Sequence, residues 1–246
     1  MPITRRAIVL TGAAALASGC GAAAHHAATP LAARPKQPRA SAPPPAPPPV
    51  QLTHGPLTRP QVALTFHGQG EPALTTALLT EAERAGARLT VLAVGDWLDA
   101  YPRLAHRILD GGHELGNHTQ THRDIDTMSL ADAYAEIAGC ADRLRRLTGS
   151  PGRWFRPSQA RLVTPTVQRA ALRAGYAQVL SYDVDSLDYT DPGANAIGAN
   201  VLHRIRPGSI VSLHLGHPGT IAALPAILDG LQARSLRAVT ATELLI

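Results

Sequence analysis

Val62-Ala63-Leu64-Thr65-Phe66-His67 is a short, nearly unbroken apolar run that ends on an imidazole. A run of this length and composition predicts a buried strand. A helix is expected near Ala73 to Ala85, then a strand from Leu89 to Val94 and a helix near Tyr101 to Asp110. Ser129-Leu130-Ala131-Asp132 has the form of a helix start, with Ser129 as the cap and Asp132 at the third helical position, and the helix should reach about Thr148. Further strands fit Trp154-Phe155-Arg156, Gln178 to Tyr182, Ser209 to His214 and Arg237-Ala238-Val239. Further helices fit Thr166 to Ala174, Ala194 to Arg204 and Ile221 to Ala233. Repeated strand-helix units predict a parallel sheet with helices outside, either open or closed into a barrel. About 190 residues follow His54, enough for one domain with a substantial core.

In such folds chemistry sits beyond the carboxyl ends of the strands. His67 follows the first strand, Arg156 ends another, Asp183 and Asp185 follow Val179 to Tyr182, and His214 closes Ile210-Val211-Ser212-Leu213. Each residue alone has a structural reading, such as a salt-bridged Arg156 or a loop-capping Asp185. Their shared placement points to a catalytic rim.

The run Glu114-Leu115-Gly116-Asn117-His118-Thr119-Gln120-Thr121-His122 adds two imidazoles four residues apart. On one turn of helix or a tight helical loop, such residues share a face and can ligate one zinc-like ion. An exposed pair, or one that caps a loop, fits the same spacing.

The amino-terminal stretch reads as an export signal: Arg5-Arg6, an apolar stretch from Ala7 to Ala17, and Leu16-Ala17-Ser18-Gly19-Cys20 with small residues before a cysteine. It is too short to span a bilayer, which takes about 20 apolar residues. Residues 1–20 are therefore expected to be a lipoprotein-like signal, with Cys20 the point of any lipid anchor and the only membrane contact; a plain secretory peptide is the alternative. Residues 21–54 are Ala- and Pro-rich and read as a tether, leaving 55–246 as the folded domain. The expected location is the cell envelope or beyond.

The net charge of +5 belongs to the leader and tether. Five basic residues and no acidic one precede residue 55, so 18 basic side chains face 18 acidic ones in the remainder. That balance argues against a nucleic-acid partner. Of the two cysteines, Cys140 falls at helical spacing with Ala133 and Ile137 and reads as a buried thiol. The sequence is silent on oligomeric state.

From about Pro60 onward the chain resembles the polysaccharide deacetylases with a NodB homology domain, carbohydrate esterase family 4. The resemblance rests on His118-Thr119-Gln120-Thr121-His122, the family's metal-binding motif; Phe155-Arg156-Pro157, its arginine motif; Asp183-Val184-Asp185-Ser186-Leu187-Asp188-Tyr189, its aspartate-rich motif; and Ser209-Ile210-Val211-Ser212-Leu213-His214, its closing strand. Val94-Gly95-Asp96-Trp97 and Gly111 to His118 also look like family sequence. The resemblance implies an α/β fold, an irregular (β/α) barrel of about seven strands in a single domain. It also implies a divalent metal ion of the Zn2+ type and a polysaccharide substrate that loses N-acetyl or O-acetyl groups. His214 is the implied acid for the departing amine, Asp185 its orienting carboxylate, and His118 and His122 metal ligands.

The first motif departs from the family. Where Thr-Phe-Asp-Asp-Gly is usual, this chain has Thr65-Phe66-His67-Gly68-Gln69-Gly70, without the family's base or its carboxylate ligand. Leu215 likewise stands where an aspartate often follows the closing histidine. His67 can join His118 and His122 as a third ligand, replace the base while Gln69, Glu71 or water completes the metal site, or mark an inactive homologue. Arg156, which in the family positions the missing aspartate, is left to hold Asp183, Asp188 or substrate. His217 reads as a loop residue that can line the groove, while His106, His113 and His203 read as packing or capping residues. Phe66, Trp97, Tyr101 and Trp154 are among the few rings available to stack on sugars. The rival to a metal-dependent deacetylase is a catalytically inactive carbohydrate-binding envelope protein on the same fold.

Overall fold

A computed structural model describes residues 50–246; the expected signal, Cys20 and nearly all of the Ala/Pro-rich stretch lie outside the described residues. In chain order the elements are β1 (Val50–Leu52), β2 (Gln61–Gly68), α1 (Pro72–Arg84), β3 (Thr90–Ala93), α2 (Gly95–Ala100), α3 (Arg103–Asp110), β4 (Glu114–Asn117), α4 (Leu130–Thr148), α5 (Pro165–Arg173), β5 (Gln178–Leu180), β6 (Val184–Asp185), α6 (Ala194–Leu202), β7 (Ile210–His214), α7 (Pro218–Gln232), β8 (Arg237–Val239) and α8 (Ala241–Leu245).

Strand β2 is the centre of a parallel sheet ordered β4-β3-β2-β7-β6, with β8 paired to the beginning of β2. Its residues Val62 to Phe66 are all buried, which is why β2 reads as a continuous apolar run rather than an alternating one: helices cover one face and the barrel interior the other. Past β4, single parallel bridges from Asn117 to Phe155 and from Phe155 to Val179 carry the sheet round to β5. β5 then passes through Ser181, Tyr182 and Asp183 into β6, beside β7. The result is an irregular, incompletely laddered α/β barrel, as the family resemblance implied, where the strand-helix pattern alone allowed an open sheet as well.

Local chemistry sets several boundaries. Ser129 accepts a hydrogen bond from the Asp132 amide and α4 ends at Gly149 in the left-handed region (φ 79°), matching the expected helix at both ends. The helix expected near Tyr101 to Asp110 is α3, which starts at Arg103 because Pro102 disfavours a helical Tyr101 before it, and a short α2 that was not expected precedes it. The strand expected at Trp154-Phe155-Arg156 contracts to the bridges at Phe155. The expected tether boundary is also corrected. Val50 to Leu52 pair in parallel register with Gln178 to Leu180, and His54 bridges Ser209, so residues 50–54 belong to the fold and cover the edge of β5.

Candidate active site

The metal-motif histidines stand on a turn, not a helix. β4 ends at Asn117, and Thr119 (φ 70°) and His122 (φ 58°) take left-handed backbone conformations that fold the loop back, leaving the His118 and His122 rings 4.9 Å apart. Side chains hold this strained loop in place. Asn117 accepts from the Thr119 amide and donates to Ile137 O and Tyr176 Oη. Glu136 of α4, nearly buried, accepts from both the amide and the hydroxyl of Thr121 at 2.8 and 2.7 Å and from Arg123. Burial pushes the Glu136 carboxyl up, but these donors outweigh it and leave it below the usual carboxylate range. Gln159 ties down the His122 carbonyl. Glu136 was not singled out in the sequence, since a helix carboxylate carries no local sign of which loop it holds.

His67 at the end of β2 meets this pair. Its Nδ1 lies 2.8 Å from His118 Nε2, and one ligand nitrogen from each of His67, His118 and His122 falls within 4.8 Å of the others. His118 Nδ1 donates to the Arg156 carbonyl, which fixes its tautomer and leaves Nε2 facing the cluster. Burial holds the His67 and His118 imidazoles well below their ordinary value, helped by the neighbouring imidazoles, and lowers His122 less strongly. Three close, neutral nitrogen donors suit a zinc-type cation. Position 68 offers nothing to the cluster: a Cβ on Gly68 would stand 2.7 Å from the Ala93 Cα and 2.9 Å from the Leu92 carbonyl oxygen, on the side of β2 that packs on β3.

Arg156 is fully buried and binds none of the carboxylates expected for it. Its guanidinium donates to the carbonyls of Leu180 and Ser181 and to Thr65 Oγ1, with one nitrogen 3.5 Å from His67 Nε2. Desolvation pulls its pKa down to about 10. Asp183 is turned away from it, accepting from Ser209 Oγ and the Ile210 amide and pairing with Arg206.

The orienting carboxylate of His214 is Asp188, not Asp185. After β6 the chain turns through Leu187 (φ 55°), which buries Asp188 beneath the closing histidine. Asp188 accepts from His214 Nδ1 and the His214 amide at 2.7 Å each, and from Thr220 Oγ1 at 2.6 Å. Burial pushes the Asp188 carboxyl up, and these bonds outweigh burial and set it below the usual carboxylate range. Asp185 lies opposite Ser212 across β6 and β7, two positions short of His214, and its Oδ1 accepts from the Leu187 amide. The spacing of two aspartates three apart could not say which one the turn would bury.

One cleft of about 620 Å³ is lined by His67, His122, Asp185, Ser212, His214 and His217, with the buried His118, Arg156 and Asp188 behind its wall. The rings facing it are Tyr182 and Tyr189. Phe66, Trp97 and Trp154 are core residues and Tyr101 lies outside the lining, so the aromatic candidates named from sequence are replaced. His217 does reach the cleft and bonds Asp191 at 2.8 Å; Gln69 lines it, whereas Glu71 precedes α1 and does not. His113 is buried against the Leu89 amide, His203 follows α6, and His106 is exposed on α3. Leu215 is buried, as is Cys140, whose thiol burial pushes up to about 12.

Known proteins share both pattern and fold. A crystal structure of a peptidoglycan N-acetylglucosamine deacetylase superposes with a TM-score of 0.74 at 25% identity, covering 79% of this chain and 92% of that one. A family 4 pseudoenzyme from Bacillus anthracis superposes at 0.76 with 24% identity over 80% of this chain and 69% of that one, a likeness of fold alone. A peptidoglycan-N-acetylglucosamine deacetylase of Bacillus cereus is 31% identical over 188 residues, 75% of this chain and 87% of that protein. The model of the polysaccharide deacetylase family matches residues 54–179, and with these relatives it establishes that the chain belongs to that family.

Proposed function

We propose that the chain is a metal-dependent hydrolase that removes acetyl groups from the amino sugars of a cell-envelope or extracellular polysaccharide. The observation that carries this reading is the convergence of His67, His118 and His122 within 4.8 Å, beside a histidine already oriented by a buried aspartate. The B. cereus relative is named for peptidoglycan, which supports that glycan as the first substrate to try.

His67, His118 and His122 would hold the cation. A zinc-type ion held there would supply a Lewis acid for the acetyl carbonyl and would lower a water's pKa to about 7, with no carboxylate among these three residues to offset its charge. That lessens the need for the carboxylate base that position 67 lacks. His214 stands over the cleft with Nδ1 committed to Asp188, so Nε2 is the nitrogen free to pass a proton to the departing amine. Arg156 serves as scaffold: its carbonyl fixes His118 and its guanidinium spans Thr65, Leu180 and Ser181. Both Tyr182 and Tyr189 line the cleft; the Tyr182 ring is stacked with Arg156 and Arg161, so the exposed Tyr189 is the ring for a sugar to stack on. The expected signal and the lipid site at Cys20 would place the cleft where such glycans are; none of the described helices is long and apolar enough to cross a membrane.

The test is metal analysis of the purified chain followed by acetate release from N-acetylated glycans, for the native protein and for His67→Ala. Bound zinc with release that His67→Ala abolishes is the expected result. Glycan binding with neither metal nor release would establish the inactive carbohydrate-binding protein instead.

A further inference from the structure

Ser212 is not among the three candidate ligands, yet its hydroxyl bears on whether His67 can be one. It sits on β7 opposite Thr65 of β2, nearly buried, with Oγ 3.0 Å from His67 Nε2. The other ring nitrogen of His67, Nδ1, is the one beside His118 Nε2. A neutral imidazole carries one ring proton, so the two nitrogens cannot both offer a lone pair. With that proton on Nδ1, His67 donates to His118 and its lone pair, on Nε2, faces Ser212 and Arg156 instead of the cluster. With it on Nε2, Nδ1 and His118 Nε2 both present lone pairs to the same point.

The ligating state needs an acceptor for the proton on Nε2. Two side chains approach it: the Ser212 hydroxyl and, at 3.5 Å, the Arg156 guanidinium. A guanidinium only donates. Ser212 Oγ is thus the one acceptor of the pair, and without it an Nε2 proton would face a cation. His118 needs no such help, because the Arg156 carbonyl already accepts from its Nδ1. Ligating histidines are commonly oriented in this way, by an acceptor on the nitrogen away from the metal.

We propose that Ser212 is the positioning residue that holds His67 in the tautomer able to ligate a cation. The inference rests on reading His67 as a ligand, and the experiment separates the two. Zn2+ affinity of the full, metal-stripped chain is measured by competition with a chromophoric chelator, and the Co2+ form is followed by visible absorption, for the native protein, His67→Ala, Ser212→Thr and Ser212→Val. Threonine and valine have nearly the same shape and differ in the hydroxyl, so a packing fault would affect both. Ser212→Thr should keep native affinity and spectrum. Ser212→Val should bind about 10–100-fold more weakly, with a Co2+ spectrum shifted toward that of His67→Ala. Equal behaviour of the threonine and valine variants, whether native-like or weak, would overturn the role of the hydroxyl while leaving His67 a ligand. Native affinity in His67→Ala would remove the ligand reading itself, and this inference with it.

Discussion

His67 and His214 stack face to face, centroids 4.2 Å apart and planes 21° from parallel, because they are register partners on the adjacent parallel strands β2 and β7. The stack puts the first divergent residue of the first motif directly against His214, the acid of the proposed reaction. It also makes the cleft a poor host for added protons.

A pH dependence follows for the metal-free protein. His67, His118 and His122 all have folded pKa values below 6.5, chiefly through burial. As pH falls below about 6.5 the unfolded chain takes up protons that the folded site resists, so the stability contributed by these groups is complete above that value and declines toward the folded values. Urea unfolding in chelator should therefore show a lower midpoint at about pH 5 than at about pH 7.5. His67→Gln should flatten the slope. A native slope unchanged by that substitution would contradict the account.

Asp188→Asn should lower kcat by about 100-fold or more, because His214 loses the acceptor that fixes its tautomer. Asp185→Asn, two strand positions short of His214, should have a much smaller effect on kcat. Steady-state kinetics of the two variants side by side decides between the two carboxylates.

Glu136→Ala removes the acceptor for both Thr121 donors and so releases the loop that carries His118 and His122. Metal affinity should fall by about 10–100-fold, although Glu136 bonds neither histidine. Chelator titration reads the loss, and an unchanged affinity would show that the loop is held by Asn117 and Gln159 alone.

Restoring the family's second carboxylate should fail. Gly68→Asp drives a Cβ against the backbone of Ala93 and Leu92. It should destabilise the fold by about 1–3 kcal/mol or more without adding a ligand. Thermal unfolding and metal content of the purified variant would show both effects.

Much of this was readable from the residues. The strand-helix alternation, the cap at Ser129, the placement of His67 and His214 at strand ends and that of His118 just past β4 depend on local pattern, and the structure keeps them. What pattern could not supply was direction. Asp185 and Asp188 are equally plausible partners for His214 until the left-handed Leu187 buries one of them. Besides Thr65 Oγ1, the groups Arg156 donates to are carbonyls, which look alike at every position in a sequence. β1 was hidden in proline-rich sequence because its reason for forming is the edge of β5, more than a hundred residues away.

The three-imidazole cluster contains nitrogen donors only. Along the first-row divalent ions, the affinity of such donors climbs to a maximum at copper. A cleft built this way selects its ion by what the surroundings supply, and trace copper would act on it as a poison. Zinc-loaded protein exposed to Cu2+ should exchange its metal, which the visible absorption of the copper form would show.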